Sequence, residues 1–321
     1  MSKTIIEGSA LPSERLRRVR RGLVCLAIAG TAWGTTGAAV DVVYRSSDLG
    51  PIGVSFWRHL GGLALLLAVG AVRPRRAAAL QRPIRRRLPV LLGTGIGMAV
   101  FQTAYFAAVQ QTGLAVGTIV TLGAGPVFAA IGSRLFLDER IGRTGVLAVA
   151  GALAGLAVLM LGNRAGDVDP LGLGFALLSA AGYAGATLIA RSTGRHGTGE
   201  EPFTLTVWSF GIGAAVLLPF ALAEGILPHT DHFGRVVLLL GYVVVFTTAL
   251  AYPLYFTGTA AVRATTATVV MLIEPVSAAV LAVTLLGEHL SPATVAGTAL
   301  LLAAVVGLAM AESRSARVSS G

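Results

Sequence analysis

Two stretches of the sequence share one pattern: residues 126–139 read PVFAAIGSRLFLDE and residues 275–288 read PVSAAVLAVTLLGE. Each stretch begins with a proline and ends with a glutamate, and the residues between them are mostly apolar. The similarity extends on both sides, because residues 112–159 align without gaps on residues 261–308. A slightly different shift places Pro51 and Trp57 on Pro202 and Trp208. The sequence therefore predicts a chain built from two related halves.

The composition excludes several classes of protein. Of 321 residues, 55% are hydrophobic and 12% are charged, whereas a soluble domain carries about 25% charged residues. A soluble enzyme, a secreted scaffold and a disordered protein are therefore excluded. Cys25 is the single cysteine, so no intrachain disulfide forms, and the single lysine, Lys3, is not in a phosphate-binding loop. The sequence predicts no cofactor and no metal.

Ten apolar segments are long enough to be membrane-spanning helices, since a span needs about 20 apolar residues. Their approximate bounds are 22–43, 52–72, 89–109, 115–136, 144–162, 171–190, 203–223, 235–256, 264–286 and 292–311. The connections between them are short. The sequence therefore predicts an all-α polytopic membrane protein that uses the lipid bilayer as its solvent.

The basic residues predict how these spans are oriented. Of the 25 Lys and Arg residues, only Arg45, Arg164 and Arg235 fall on the side opposite the N-terminus, and Arg58 falls inside a span. Because cytoplasmic loops collect basic residues, residues 1–21 are predicted to be a cytoplasmic basic segment and residues 312–321 a cytoplasmic tail. The Arg-rich stretch 73–87 is interpreted as an orientation signal of a plasma (inner) membrane protein, and no nucleic-acid partner is predicted.

The repeat and the span count together predict an inverted architecture. Residues 22–162 and residues 171–311 each contain five predicted spans, and an odd number turns the second unit upside down relative to the first. Inverted repeats with a binding site near the membrane midplane are typical of secondary transporters.

The pattern resembles the drug/metabolite transporter superfamily, EamA type. The resemblance covers residues 22–311 and is carried by Trp33-Gly34, by Trp57-Arg58 and by the two blocks 126–139 and 275–288. Asp138 departs from it, because the family usually has glycine there, as Gly287 is in the second block. The resemblance implies two five-helix repeats and export or exchange of small metabolites, and it implies no particular substrate.

Two ionisable residues lie inside predicted spans. Arg58 has Ser209 as its repeat partner and Glu274 has Gly125, so the repeat does not require either charge. Arg58 is interpreted as a binding group for an anion or, alternatively, as an arginine that fixes helix packing. Glu274 is interpreted as a proton-coupling group or a binder of amines, or alternatively as a static partner of Arg58 or of backbone amides near Pro275.

Polar and aromatic side chains at helical spacing predict the rest of the site. Four faces are expected to surround one cavity, with Trp33 and Trp57 near it. They are Gln102, Tyr105 and Val109; Thr118, Thr121 and Gly125; Thr248, Tyr252, Tyr255 and Thr259; and Thr266, Val270, Glu274 and Ser277. The predicted substrate-binding residues are Arg58, Trp33, Gln102, Tyr105, Tyr252, Tyr255 and Glu274. Glu139 and Glu288 are expected to be solvated capping or turn-forming charges at helix ends, on opposite sides of the membrane.

The predicted function is secondary transport of a small organic solute by alternating access. Amino-acid-like compounds, amines, carboxylates and drugs are the solute classes considered, and export follows from the resemblance alone. Proton coupling and the oligomeric state stay open. The alternatives are a facilitative, channel-like permease and a membrane-embedded enzyme. The sequence contains no nucleophile–base or metal constellation that such an enzyme would need.

Overall fold

The computed structural model describes residues 12–72, 83–137, 143–161, 169–195, 201–262 and 264–318, and every regular element in these ranges is helical. The helices are α1 (Pro12–Ser46), α2 (Pro51–Val72), α3 (Ile84–Thr112), α4 (Leu114–Phe136), α5 (Arg143–Leu161), α6 (Pro170–Arg195), α7 (Pro202–Glu224), α8 (Phe233–Val244), α9 (Ala251–Ala261), α10 (Ala264–Met271), α11 (Ile273–Thr284) and α12 (Pro292–Val318). A π-helical segment, Val245–Leu250, joins α8 to α9.

Each predicted apolar segment falls on one helix or on two helices in succession. Seven helical stretches are long and apolar enough to cross a membrane: Leu16–Ser46, Pro51–Ala71, Ile84–Thr112, Leu114–Phe136, Pro170–Ser192, Phe203–Glu224 and Phe233–Ala261. Three shorter apolar stretches, Val149–Val158, Val269–Thr284 and Pro292–Gly307, complete the set. Helices suit this composition because they satisfy their backbone hydrogen bonds internally, which hydrocarbon requires.

The ninth predicted span is two helices. The break lies at Leu272, between α10 and α11, three residues before Pro275. Pro275 favours a break here because proline lacks an amide hydrogen and its ring clashes with the carbonyl four residues earlier, which is that of Met271. Pro275 is consequently the third residue of α11, where the missing donor has no intrahelical partner to lose.

The eighth predicted span contains an irregularity that the sequence analysis did not predict. The π-helical segment Val245–Leu250 precedes α9, and Pro253 is the third residue of α9. The same loss of a backbone donor therefore accompanies both irregular spans.

Small residues bring several helices into close contact. Gly97 of α3 and Gly182 of α6 meet backbone to backbone, since a Cβ atom added to Gly182 would lie 2.9 Å from the Gly97 oxygen. The glycines around residue 95 thus allow close helix packing. The main apolar core includes the fully buried Phe106, Leu114 and Ile119.

Hydrogen bonds join several helix ends on one face of the bundle. Thr230 Oγ1 donates to the Ser46 carbonyl, and the carboxylate of Glu288 accepts from the amide of Leu114. We call this surface the clasped face and define it by residues 46–53, 112–115, 224–230 and 288. It contains the ends of α1, α3 and α7 and the starts of α2 and α4.

Some residues used in the sequence analysis lie outside the described ranges. These are residues 1–11 of the basic segment, Arg73, Arg75, Arg76, Arg82, Asp138, Glu139, Arg140, Arg164, Arg263 and residues 319–321.

Candidate functional site

A cavity of about 480 Å³ lies inside the bundle. All seven predicted site residues line it: Trp33 on α1, Arg58 on α2, Gln102 and Tyr105 on α3, Tyr252 and Tyr255 on α9, and Glu274 on α11. Further wall comes from α4, α6, α10 and α12. Side chains that are far apart in the sequence, on both halves of the chain, are thus gathered around one space.

Arg58 is the buried cation of the cavity. It lies in the second turn of α2, and only 5% of its surface is exposed. Among the described residues, no hydrogen-bond partner reaches its Nε atom. The Cζ atom lies 5.9 Å from the ring centroid of Phe106, close enough for a cation–π contact. An arginine donor in this state retains its capacity to bind an anion that enters the cavity.

Glu274 faces the same cavity from the break in the ninth span. It is the second residue of α11 and is partly buried. In the described part of the chain, no salt bridge joins Glu274 to Arg58. The alternative of a static ion pair is therefore wrong for this conformation, and both charges remain available within one cavity.

Gly34 explains how Glu274 is held. A Cβ atom on Gly34 would lie 2.7 Å from the Glu274 carbonyl oxygen and 2.7 Å from the Ser277 Cβ atom. The absent side chain allows α1 to lie directly against the backbone of α11. In the Trp33-Gly34 pair, the glycine therefore sets the helix contact while the tryptophan reaches the cavity.

An aromatic wall surrounds Trp33. Its ring centroid lies 5.2 Å from that of Tyr252 and 5.2 Å from that of Tyr255. Its indole Nε1 donates to the carbonyl of Thr247, inside the π-helical segment, at 2.8 Å. The hydrogen bond fixes the indole and satisfies a carbonyl in the irregular backbone, so Trp33 connects the cavity to the eighth span.

Tyr105 closes the cavity towards the clasped face. Its hydroxyl group and the Oγ1 atom of Thr118 are 2.9 Å apart, and both residues are buried. Gly37 lies against the same hydroxyl, since a Cβ atom there would be 2.6 Å from it. The polar face on α3 therefore meets α4 and α1.

The cavity extends in the other direction, away from the clasped face. Thr259 lies two residues before the end of α9, and Ala267 three residues after the start of α10; both line the cavity. These helix ends belong to the surface opposite the clasped face.

Several residues predicted to border the cavity do not line it. They are Trp57, Val109, Thr118, Thr248, Thr266, Val270 and Ser277. Trp57 instead donates from Nε1 to the Ile226 carbonyl, at 2.7 Å, on the clasped face. The Thr248 hydroxyl is fully buried and donates to the Val243 carbonyl, because the π-helical segment turns it away from the tyrosines.

Other lining residues were not predicted from the sequence, notably Tyr183, Phe101 and Thr36. The Tyr183 ring lies 5.2 Å from that of Phe101, and the Ser179 hydroxyl one turn away donates to the Phe101 carbonyl. The Ser179–Tyr183 spacing on α6 was a signal that could have indicated this wall. The Oγ1 atom of Thr36 is buried, and no described residue is its hydrogen-bond partner.

Known proteins share this architecture over nearly the whole chain. The model of the EamA-like transporter family matches twice, over residues 20–161 and 170–310. The chain belongs to the EamA-like transporter family. The EamA-type resemblance is thus confirmed, and the protein is a multi-pass membrane protein of a transporter family.

Two individual proteins that are similar to this chain are also named as transporters. An uncharacterized transporter of Bacillus subtilis, YwfM, is 31% identical over 276 residues, which cover 86% of this chain and 89% of the relative. An uncharacterized inner membrane transporter of Salmonella typhimurium, YicL, is 24% identical over 306 residues, covering 94% of this chain and 99% of the relative. A solved crystal structure with 19% identity superimposes with a TM-score of 0.60 and covers 89% of this chain and 95% of its own; it shows the fold alone.

Proposed function

We propose that this protein is a secondary transporter that moves a small organic solute through the cavity by alternating access. The observation that carries the proposal is that one buried cavity holds Arg58 and Glu274, unpaired with each other, within an aromatic wall. Buried charges are costly in a membrane and mark solute or ion pathways. The solute classes that fit are amino-acid-like compounds, amines, carboxylates and drugs.

The architecture proposed for this function is ten spans in two inverted repeats, residues 22–162 and 171–311. The paired family matches support the division. The contacts support the inversion: α1 ends at the clasped face, whereas Gly172 near the start of α6 lies against Thr112 on that same face. The first helices of the two repeats therefore run in opposite directions.

The basic residues support an orientation with both termini in the cytoplasm. In this orientation the clasped face is extracytoplasmic and the cavity extends towards the cytoplasm. The name of the Salmonella relative supports a location in the inner membrane. The family supports export over import, and the state described is the one that loads solute from inside.

Each polar residue has a distinct role in the proposed cycle. Arg58 would bind an anionic group of the solute through its planar fork of donors. Trp33, Tyr252 and Tyr255 would pack on its apolar part, and Gln102 and Tyr105 would contact it near the closed end. Glu274 would bind a proton or a substrate amine in alternation, which couples its occupancy to the direction in which the cavity opens.

Reconstitution into proteoliposomes tests the proposal. A transporter loaded with unlabelled solute should accumulate labelled solute by counterflow, with saturation, in a screen of amino acids, amines and carboxylates. A channel-like permease, the second candidate, should equilibrate the label without counterflow. No counterflow with any solute class would contradict the proposed function.

Variants of Arg58 test the site itself. Arg58→Lys keeps the charge but loses the fork, so we expect normal folding and a weaker apparent affinity for the solute. Arg235→Lys is the matched control, because Arg235 is exposed at the start of α8. If Arg58→Lys and Arg58→Ala both transport normally, Arg58 is not in the binding site. If neither variant accumulates in the membrane, Arg58 is a packing residue.

A further inference from the structure

Two glutamates of the second half cap helices of the first half on the clasped face. Glu288 lies after α11, and its Oε1 and Oε2 atoms accept from the amides of Leu114 and Ala115, at 2.6 Å and 3.1 Å. One carboxylate thus covers the first two amides of α4. These are amides that no intrahelical carbonyl can satisfy, and a negative charge there is favoured by the helix dipole.

The second cap has the same construction. Glu224 is the last residue of α7, and its Oε2 and Oε1 atoms accept from the amides of Gly53, at 2.6 Å, and Ile52, at 3.4 Å. Because Pro51 opens α2 without an amide hydrogen, these two amides are the first free donors of that helix.

Glycines provide the space for both carboxylates. Gly113 has a φ of +83°, and a Cβ atom there would lie 2.9 Å from Glu288 Oε1. At Gly50, a Cβ atom would meet the carboxylate of Glu224. Each carboxylate therefore comes close to a helix start because the residue before it has no side chain, which makes both caps specific contacts between the halves.

The caps lie at the end of the bundle that the cavity lining does not reach, since Arg58 on α2 and Tyr105 on α3 are each seven residues from the helix end on this face. The Tyr105–Thr118 contact separates the cavity from the start of α4, and Trp57 and Thr230 add two more hydrogen bonds between the halves on this face. The cavity extends away from this face, towards Thr259 and Ala267. In an alternating-access cycle, opening this face has to separate residues 46–53 from 224–230, or 112–115 from 288.

We propose that Glu224 and Glu288 are the latches that hold the clasped face closed, and that the cavity opens to this face when they leave the starts of α2 and α4. This inference rests on the proposed function. A carboxylate on a helix start suits a reversible latch, since Glu224 is exposed and Glu288 half-buried, and opening the face would admit water to the buried amides of Gly53, Leu114 and Ala115 that they leave. The closed state is thereby stabilised without a permanent lock.

Thiol labelling tests the latches without a known solute. In a Cys25→Ala background, Leu122→Cys places one thiol on the cavity wall, and an impermeant thiol reagent is added to one side of sealed vesicles. Asp231→Cys, in the exposed loop of the clasped face, identifies the side to which that face belongs. Glu201→Gln is the matched control, because Glu201 is an exposed glutamate before α7, at the other end of that helix from Glu224.

We expect Glu224→Gln and Glu288→Gln each to raise the labelling rate from the clasped face by about tenfold, the effect of losing one charge-assisted hydrogen bond. Labelling from the opposite face should fall in the same variants, because one population replaces the other. Glu201→Gln should change neither rate.

Two outcomes would overturn the latches. Rates equal to those of the parent would show that the caps do not hold the face closed. Faster labelling from both faces at once would show that the caps stabilise the fold and not one conformation. Reciprocal labelling in a protein that fails every counterflow assay would contradict the proposed function alone, whereas normal transport without a labelling change would contradict the latches alone.

Discussion

The helix α4 and the pair α10–α11 are repeat-related and contain the same Pro-Val-x-Ala-Ala sequence, yet only the second is broken. Pro126 lies inside α4, which continues from Leu114 to Phe136. Pro275 follows a break at Leu272. Proline alone therefore does not decide the break, since both helices lose the same backbone donor.

The two spans differ in the residue that precedes the proline. Gly125 has no side chain, whereas Glu274 places a carboxylate at the cavity. Irregular backbone at membrane depth is tolerated only where protein or a cavity covers it, and Met271 and Leu272 both line the cavity.

The third and eighth spans differ in the same way. The first-half member, α3, is continuous, and its counterpart contains the π-helical segment before Pro253. The repeat therefore determines where the spans lie. The second half adds irregular backbone, and Tyr252, Tyr255 and Glu274 lie beside it.

The largest effect is expected from removing the charge that distinguishes the two spans. Glu274→Gln keeps the shape of the side chain and removes its titration. If transport is proton-driven, this variant should lose accumulation driven by a pH gradient and keep part of the exchange at equal pH, both measured in proteoliposomes. Gly125→Ala is the control in the repeat-related helix, with only Tyr183 near the added carbon, at 3.7 Å.

The remaining outcomes for Glu274→Gln assign its role. A variant that still concentrates the solute with a normal pH dependence is not altered in coupling, and Glu274 is then not the coupling group. Loss of binding and exchange together would make Glu274 a direct contact of the solute.

The contact that holds α11 should give the next largest effect. Gly34→Ala places a carbon against the backbone of Glu274, which cannot move aside, so we expect a loss of about 1–3 kcal/mol in stability. For Gly123→Ala on α4 the three nearest atoms all belong to the Leu301 side chain, the closest being its Cβ atom at 3.2 Å, so this variant should be tolerated better. Thermal unfolding in detergent measures both, and equal losses would contradict the asymmetry.

A smaller effect is expected from the prolines. Pro275→Ala restores a donor for the Met271 carbonyl, which favours a continuous ninth span and turns Glu274 away from its position. Counterflow should fall several-fold, whereas Pro126→Ala should change it little because α4 is already continuous. Equal effects of the two variants would show that the break does not position Glu274.

The sequence predicted the positions of the helices well because a bilayer imposes a length of apolar sequence on each span. It also grouped Arg58, Glu274 and the tyrosines, since an isolated charge in an apolar segment and polar groups at helical spacing both require a polar interior.

Contacts between distant residues could not be predicted in this way. The Trp33 indole donates to a carbonyl of the π-helical segment that is 214 positions away, and the Glu288 carboxylate accepts from the Leu114 amide, 174 positions away. Trp57 was predicted to lie near the cavity because periodicity indicates the face of a helix on which a residue lies, but not the neighbour that covers it. Tyr183 was missed because one tyrosine on α6 is a weak pattern.

The smallest effect concerns the loops of the clasped face. The backbone amide of His229 donates to Asp48 at 2.7 Å, and this hydrogen bond holds the pKa of the Asp48 carboxyl below its usual range. A lowered pKa in the folded state means that the contact stabilises the fold above the ordinary aspartate value of about 3.9 and is lost as the pH falls further.

Both side chains are exposed, so Asp48→Asn should raise the labelling of Leu122→Cys from this face by less than about twofold at neutral pH. As the pH falls below about 4 and then through the lowered pKa of Asp48, the difference between Asp48→Asn and its parent should shrink, because the parent carboxyl becomes protonated too. An effect as large as that of Glu288→Gln would mean that the loop contact, and not the capped helix starts, carries the closure of this face.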